Sequence, residues 1–246
     1  MEKWLEPIEK TLGRLPSSVT CFFRDDDAGW NDNRLFKLVD CFSTYAVPLD
    51  LAAIPKAFDS RRASLLSRRL EDSANSIGIH QHGFCHSNHQ VEGRKCEFGS
   101  MRPAEQQKAD IQNGRCMLYD FFGDGVDPIF TPPWNRCTQD TVDVLNDLGF
   151  TFLSRDETAA RLDSGNLVEL PVSIDWFKKR EGLRLSPVEI GLAIAASIEK
   201  QDVVGIMLHH EHMDRNERTM LSALLELLVS SSSVRCVLMR DLIKSS

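Results

Sequence analysis

Apolar runs of strand length alternate with segments of helical spacing along the whole chain, the pattern of an α/β fold rather than of segregated strands and helices. Residues 19–23 read as a first strand that stops at a charged cluster, and 48–53 and 76–80 as two more. Between them, 35–42 and 61–71 carry apolar residues at helical spacing. Pro103 suits the first turn of a helix marked by Ile111, Leu118, Phe121 and Phe122. A further helix over 138–148 stops at Gly149 and leads into a strand at 150–153. Ser186-Pro187-Val188-Glu189 forms a capping box with proline at the first helical position. That helix should run to Lys200 and feed the strand 203–208. Asp214 and Glu217 open a leucine-rich last helix, and 234–239 is a closing strand. The amino terminus reads as a short amphipathic helix within residues 1–18, with Trp4, Leu5, Ile8 and Leu12 on one face. No repeat or linker divides the chain, so one domain over 1–246 is expected.

The longest aperiodic segment, 83–101, is of a length that is uncommon in compact domains unless the loop serves a site or moves. Three polar clusters fall where predicted strands end, the place where parallel α/β folds collect ligands and catalytic groups. Arg24-Asp25-Asp26-Asp27 follows the first strand; three adjacent carboxylates call for a cation, a proton or free solvent. His80, His82, His86 and His89 fall within ten residues at the third strand. The His82/His86 pair, joined by a turn, can meet one metal and leave room for a carboxylate and water. His209, His210 and His212 follow the strand at 203–208, and His209 there can serve as a ligand or as a general acid/base. Pro132-Pro133-Trp134 is a rigid turn whose indole either stacks on a sugar ring or covers core. Asp175-Trp176 is a weaker signal of the same kind.

Composition narrows the classes. The 246 residues carry a net charge of −7, which argues against a broad nucleic-acid surface. No run approaches the roughly 20 apolar residues of a membrane span, and the first residues lack a secretory signal. Seven scattered cysteines without a CxxC pair suit reduced thiols in the cytoplasm.

In order, these segments resemble the five motifs of the polysaccharide deacetylase family, carbohydrate esterase family four. Asp25-Asp26 is similar to the first motif, His82-x-x-x-His86 to the second, Thr131-Pro132-Pro133-Trp134 to the third, Asp175-Trp176 to the fourth and Leu208-His209 to the fifth. The resemblance covers residues 19 to about 210, and the His-Gly-aromatic-x-His form of the second motif places it nearest to divergent members. It implies a distorted (β/α) barrel of parallel strands in a single domain. It also implies a hydrolase that removes an acetyl or other acyl group from an N- or O-acylated sugar, either a small molecule or a lipid-linked precursor. The alternatives are an amidohydrolase acting on a non-sugar amide or ureide, and a non-catalytic sugar- or metal-binding protein.

By the same resemblance Asp26, His82 and His86 hold one divalent metal, zinc in the first instance, with cobalt, nickel, iron or manganese as alternatives. Asp25 is the general base, His209 the general acid oriented by Asp175, and Trp134, Pro133 and Trp176 border the substrate. Either adjacent pair of the three aspartates fits the first motif. The strand's end just before Arg24 favours Asp25-Asp26 over Asp26-Asp27. Thr131 stands where many members have an arginine that orients the catalytic aspartate, and Arg136 is the residue expected to replace it by folding back over Asp25.

Overall fold

The computed structural model describes residues 2–72 and 76–245. Its strands are β1 (Val19–Ala28), β2 (Leu49–Ala53), β3 (Ile77–His82), β4 (Val126–Thr131), β5 (Phe152–Leu153), β6 (Val168–Glu169), β7 (Ile174–Asp175), β8 (Lys179–Arg180), β9 (Leu183–Arg184), β10 (Val203–His209) and β11 (Val234–Cys236). The helices are α1 (Glu6–Leu12), α2 (Asp32–Thr44), α3 (Ser60–Asp72), α4 (Ala104–Phe122), α5 (Gln139–Asp147), α6 (Pro187–Lys200) and α7 (Arg215–Ser230). Nine strands form one parallel sheet in the order β6-β5-β4-β3-β2-β1-β10-β7, with β11 on β1, and β8–β9 is a separate antiparallel hairpin. The fold is the expected distorted (β/α) barrel of parallel strands.

One extended segment joins the two edges of the sheet. Leu170 and Val172 donate backbone hydrogen bonds to Leu153 and Arg155 on the β5 side, and Ser173 and Trp176 donate to Gly205 and Met207 on β10. β1 is central and irregular. Its first half pairs with β11 and its second with β2, and the β1–β2 register shifts between Asp25 and Ala28.

The period-two alternation of β1 sorts its charges. Cys21 and Phe23 belong to the large apolar layer between sheet and helices. Phe22 points the other way, into an interior cluster with Ile129, Phe152, Val172, Met207 and Met239. Arg24 and Asp26 therefore share the interior face with Phe22, and Asp25 shares the outer face with Phe23. The burial of all four residues from Arg24 to Asp27 carries β1 five residues beyond its predicted end.

Four further expectations need revision. β4 carries no alternating signal, because Pro128 interrupts it and Gly123 and Gly125 precede it; the pairing of β3 with β4 shifts at this point. The strand expected at 234–239 is only β11, followed by a 3-10 turn. Trp176 does not border a substrate groove: it is fully buried, edge-on to Trp4 with ring centroids 6.1 Å apart, and its Nε1 donates to Glu217. Asp25 is not placed to act as a base, since it lies on the outer face of β1 with Phe23 and is turned to the residue after β10. The His210 amide donates to one oxygen at 2.8 Å and His210 Nδ1 lies 2.6 Å from the other.

His210 Nε2 also meets an acceptor, the Trp30 carbonyl at 2.7 Å. With acceptors at both ring nitrogens the imidazole must carry two protons. Burial alone would push its pKa down, but the Asp25 carboxylate overrides this and lifts it to about 9. The pair locks the end of β1 to the end of β10. Because the folded-state value lies above the ordinary one, its stabilisation is fully present below about pH 6.5 and is lost as pH rises through about 9. His210→Ala should therefore cost about 3–5 kcal/mol in urea unfolding at pH 6, the usual result of orphaning one partner of a buried pair, and less at pH 10. An equal cost at both pH values would show that the pair is not charged.

Candidate metal and catalytic site

The carboxyl ends of β1, β3, β4 and β10 meet at one mouth of the barrel. Asp27 departs from strand geometry with φ of 71°, a region that aspartate enters more readily than most residues. The turn brings its Oδ1 to 3.3 Å from His82 Nε2 and 3.2 Å from His86 Nε2. The candidate ligand atoms of Asp27, His82 and His86 all lie within 4.8 Å of one another, close enough to share one ion. Asp27 Oδ1 is buried without a hydrogen-bond donor, as a site built for a cation would leave it. His82 Nδ1 faces the Thr131 carbonyl at 3.0 Å, so in the neutral ring it donates there and leaves Nε2 free to ligate. The donor set fits a late divalent ion. Burial would raise the Asp27 pKa, but His82, His209 and His86 together hold it well below the ordinary value.

Asp26 takes a different place from the one expected. Its two oxygens accept from Arg24 Nε and Nη2 at 2.8 and 2.9 Å, a bidentate pair inside the barrel. Arg24 is itself fixed by Ser154 Oγ at 2.7 Å and Asn135 Oδ1 at 2.8 Å. Burial works to raise the Asp26 pKa, and Arg24, His82 and His209 outweigh it and lower it. Asp26 is thus a held, ionised carboxylate beside the ligand cluster, and Asp27 is the cluster's carboxylate. The carboxylate that faces His82 and His86 is one residue later than the expected Asp26.

Arg136 does not take the missing arginine's part. Its Nη1 donates to the Lys95 carbonyl on the aperiodic loop, away from Asp25. Arg24 supplies the cation instead, because residues i and i+2 of a strand share a face. Thr131, at the usual arginine position, accepts or donates at His80 Nε2 (2.9 Å) and orients His82 through its carbonyl. His80 is wholly buried, and burial with the nearby Arg24 pushes its pKa down to about 3, leaving it neutral.

The turn after β4 carries Trp134 and Asn135, both at positive φ. It lays the Trp134 ring 4.4 Å from that of His86, itself at φ 56°. Such strained conformations cluster where a site must be held rigid. Pro133 is buried rather than presented, and packs over Gly83, where a Cβ would come within 2.5 Å of it. The His209 ring is near enough to work against the rise in the Asp175 pKa, but Asp175 Oδ1 accepts from the Phe177 amide and His209 Nδ1 has no hydrogen-bond partner. Burial raises the Asp175 pKa.

Sequence reasoning missed Glu97, Asn135, Ser154 and His210. Glu97 is fully buried and accepts from the Phe84 and Cys85 amides, anchoring the loop that carries His86. A lone glutamate in an aperiodic loop gives no pattern to read. His210 and Asn135 were legible only as neighbours of residues already singled out.

No protein-family model matches the sequence, and no curated protein matches it. Solved structures do match. A protein described as a polysaccharide deacetylase from Mycobacterium smegmatis aligns with a TM-score of 0.70 at 14% identity, over 94% of this chain and 91% of that one. A family 4 acetyl xylan esterase from Clostridium thermocellum, in complex with a cobalt ion, gives 0.59 at 14% identity over 92% and 90%. A family 4 pseudoenzyme from Bacillus anthracis gives 0.56 at 12% identity over 93% and 66%. The resemblance read from the motifs thus extends to the backbone, and the chain has the fold of the polysaccharide deacetylases and family 4 carbohydrate esterases.

Proposed function

We propose that the chain is a metal-dependent hydrolase that removes an acyl group, acetyl in the simplest case, from an N- or O-acylated sugar or sugar precursor. The observation that carries this is the division of labour between adjacent carboxylates. Asp27 Oδ1 faces two imidazoles without a donor, while both Asp26 oxygens are held by one arginine.

Asp27, His82 and His86 would hold the ion, zinc in the first instance for two imidazoles and a carboxylate. Such an ion supplies Lewis acidity toward a carbonyl and lowers the pKa of water. Asp26, kept ionised by Arg24, takes the proton of the attacking water. His209, at the end of β10, gives a proton to the leaving nitrogen or oxygen, with the Asp175 carboxylate nearby. Trp134 forms one wall beside His86. Arg24 gives Asp26 the cation that an arginine of the third motif gives in many members, which supports the catalytic reading over a binding-only protein. Seven free thiols accord with a reducing compartment such as the cytoplasm. Among the described residues no helix is long and apolar enough to cross a membrane.

About one divalent ion per chain is expected in the purified protein. Asp27→Ala, His82→Ala and His86→Ala should each remove it. Asp26→Asn should retain the ion and lower turnover by roughly 10²- to 10⁴-fold. Elemental analysis of the four variants decides; metal lost with Asp26→Asn and kept with Asp27→Ala would restore the earlier register. A panel of acetylated sugars and cyclic ureides separates a sugar deacylase from an amidohydrolase of other amides.

His209→Ala should also keep the ion while slowing amide hydrolysis by roughly 10²- to 10⁴-fold. The deficit should shrink on an activated aryl ester, whose leaving group needs no proton. The same deficit on both substrates would remove His209 from the acid role.

A further inference from the structure

A cleft of about 590 Å³ opens beside the site, lined in part by Asp175, Asn135, Met207 and Trp134. Its other lining residues include Arg94, Arg136 and Arg155. On a protein of net charge −7 this concentration of guanidinium groups is unusual. Among the described residues, neither Arg94 nor Arg136 belongs to an ion pair. Arg136 is close enough to Arg94 to be disfavoured by it: burial, then the Arg94 charge, pushes its pKa down. The Lys95 ammonium lies 5.9 Å from the centre of the Trp134 ring.

Arg155, also in the lining, is already paired. It is 4% exposed, spends its two terminal nitrogens on Glu169 and the Ala160 carbonyl, and stands against the Cys137 thiol. Among the described residues, the cleft's carboxylates Asp156 and Asp175 form no ion pair with its arginines, and Asp156 accepts from the Thr158 amide and hydroxyl.

We propose that the substrate of the hydrolase carries a phosphate, as a sugar phosphate or a nucleoside-diphosphate-linked sugar, held in this cleft by Arg94 and Arg136 beside Trp134. The proposal rests on the hydrolase reading for the word substrate, but not for the anion site. Two arginines without counter-charges match a dianion, and a guanidinium fork offers paired donors to phosphate oxygens. A carboxylate would need only one fork. Trp134 lines this cleft and its ring also lies 4.4 Å from that of His86, so a substrate along it would place its acyl group toward the ligand cluster and its phosphate toward the arginines.

The test is calorimetric binding to the metal-loaded protein of N-acetylglucosamine 1-phosphate, a nucleoside-diphosphate N-acetylglucosamine, inorganic phosphate, N-acetylglucosamine and an N-acetylated amino-sugar uronate. The sugar phosphate or the nucleotide sugar should bind at least 10-fold more tightly than the neutral sugar, and the tighter of the two identifies the source of the phosphate. Inorganic phosphate should compete with it. Arg94→Ala combined with Arg136→Ala should erase the preference, while Arg68→Ala, on the exposed side of α3, should keep it. Should the double variant fail to fold, Arg94→Glu, which alters an exposed side chain, must erase the preference alone. Equal binding of neutral and phosphorylated sugars, a preference that survives these variants, or tighter binding of the uronate would overturn the proposal. Arginine-dependent phosphate binding without turnover of any acylated sugar would uphold the anion site and sink the hydrolase reading instead.

Discussion

The site depends on one ion pair closed inside the barrel, between Arg24 and Asp26. Their side chains are 0% and 4% exposed, and a charge so placed must be paired and hydrogen-bonded to persist. The bidentate contact uses both Asp26 oxygens, and Ser154 and Asn135 take the remaining edge of the guanidinium. Four separate parts of the chain, β1, the end of β5, the turn after β4 and, through the Met207 sulfur, β10, converge on this arginine. Replacing it with an apolar residue would leave a buried carboxylate without a counter-charge in the middle of the sheet. Stability and site geometry are therefore set by the same contacts.

The pair also settles what each of three consecutive aspartates does. Alternation sends Asp25 outward to His210 and Asp26 inward to Arg24, so both are spoken for before any ligand arrives. Asp27 escapes alternation through the shift in the β1–β2 register and its own left-handed backbone. That turn is what directs it at His82 and His86. One run of like charges is thus divided by backbone geometry alone into a carboxylate paired with His210, one paired with Arg24 and one facing two imidazoles.

Much of this was legible in the sequence, for physical reasons. The helices and most strands announce themselves through apolar spacing, and the capping box at Ser186 forms as written, with the Ser186 amide donating to Glu189 at 2.9 Å. His82 and His86 stand out because two histidines at that spacing are hard to satisfy otherwise. The register of the aspartates was not legible, because a strand was taken to end where charges begin, whereas a paired charge can lie deep in a sheet. Parity along β1, counted from Phe22, would have put Arg24 and Asp26 on one face. The burial of Trp176 depends on α1 packing Trp4 against it, a long-range contact that leaves no trace in local spacing. Glu97 and β4 were hidden by an aperiodic loop and by Pro128.

The central claim is that Asp27 ligates while Asp26 stays with Arg24. A crystal structure of the protein loaded with zinc or cobalt, with the ion located by anomalous scattering, tests it most directly. The account predicts one ion bound by Asp27, His82 and His86, with both Asp26 oxygens still on Arg24. An ion bound through Asp26, with the Arg24 contact broken or Asp27 turned away, would contradict it.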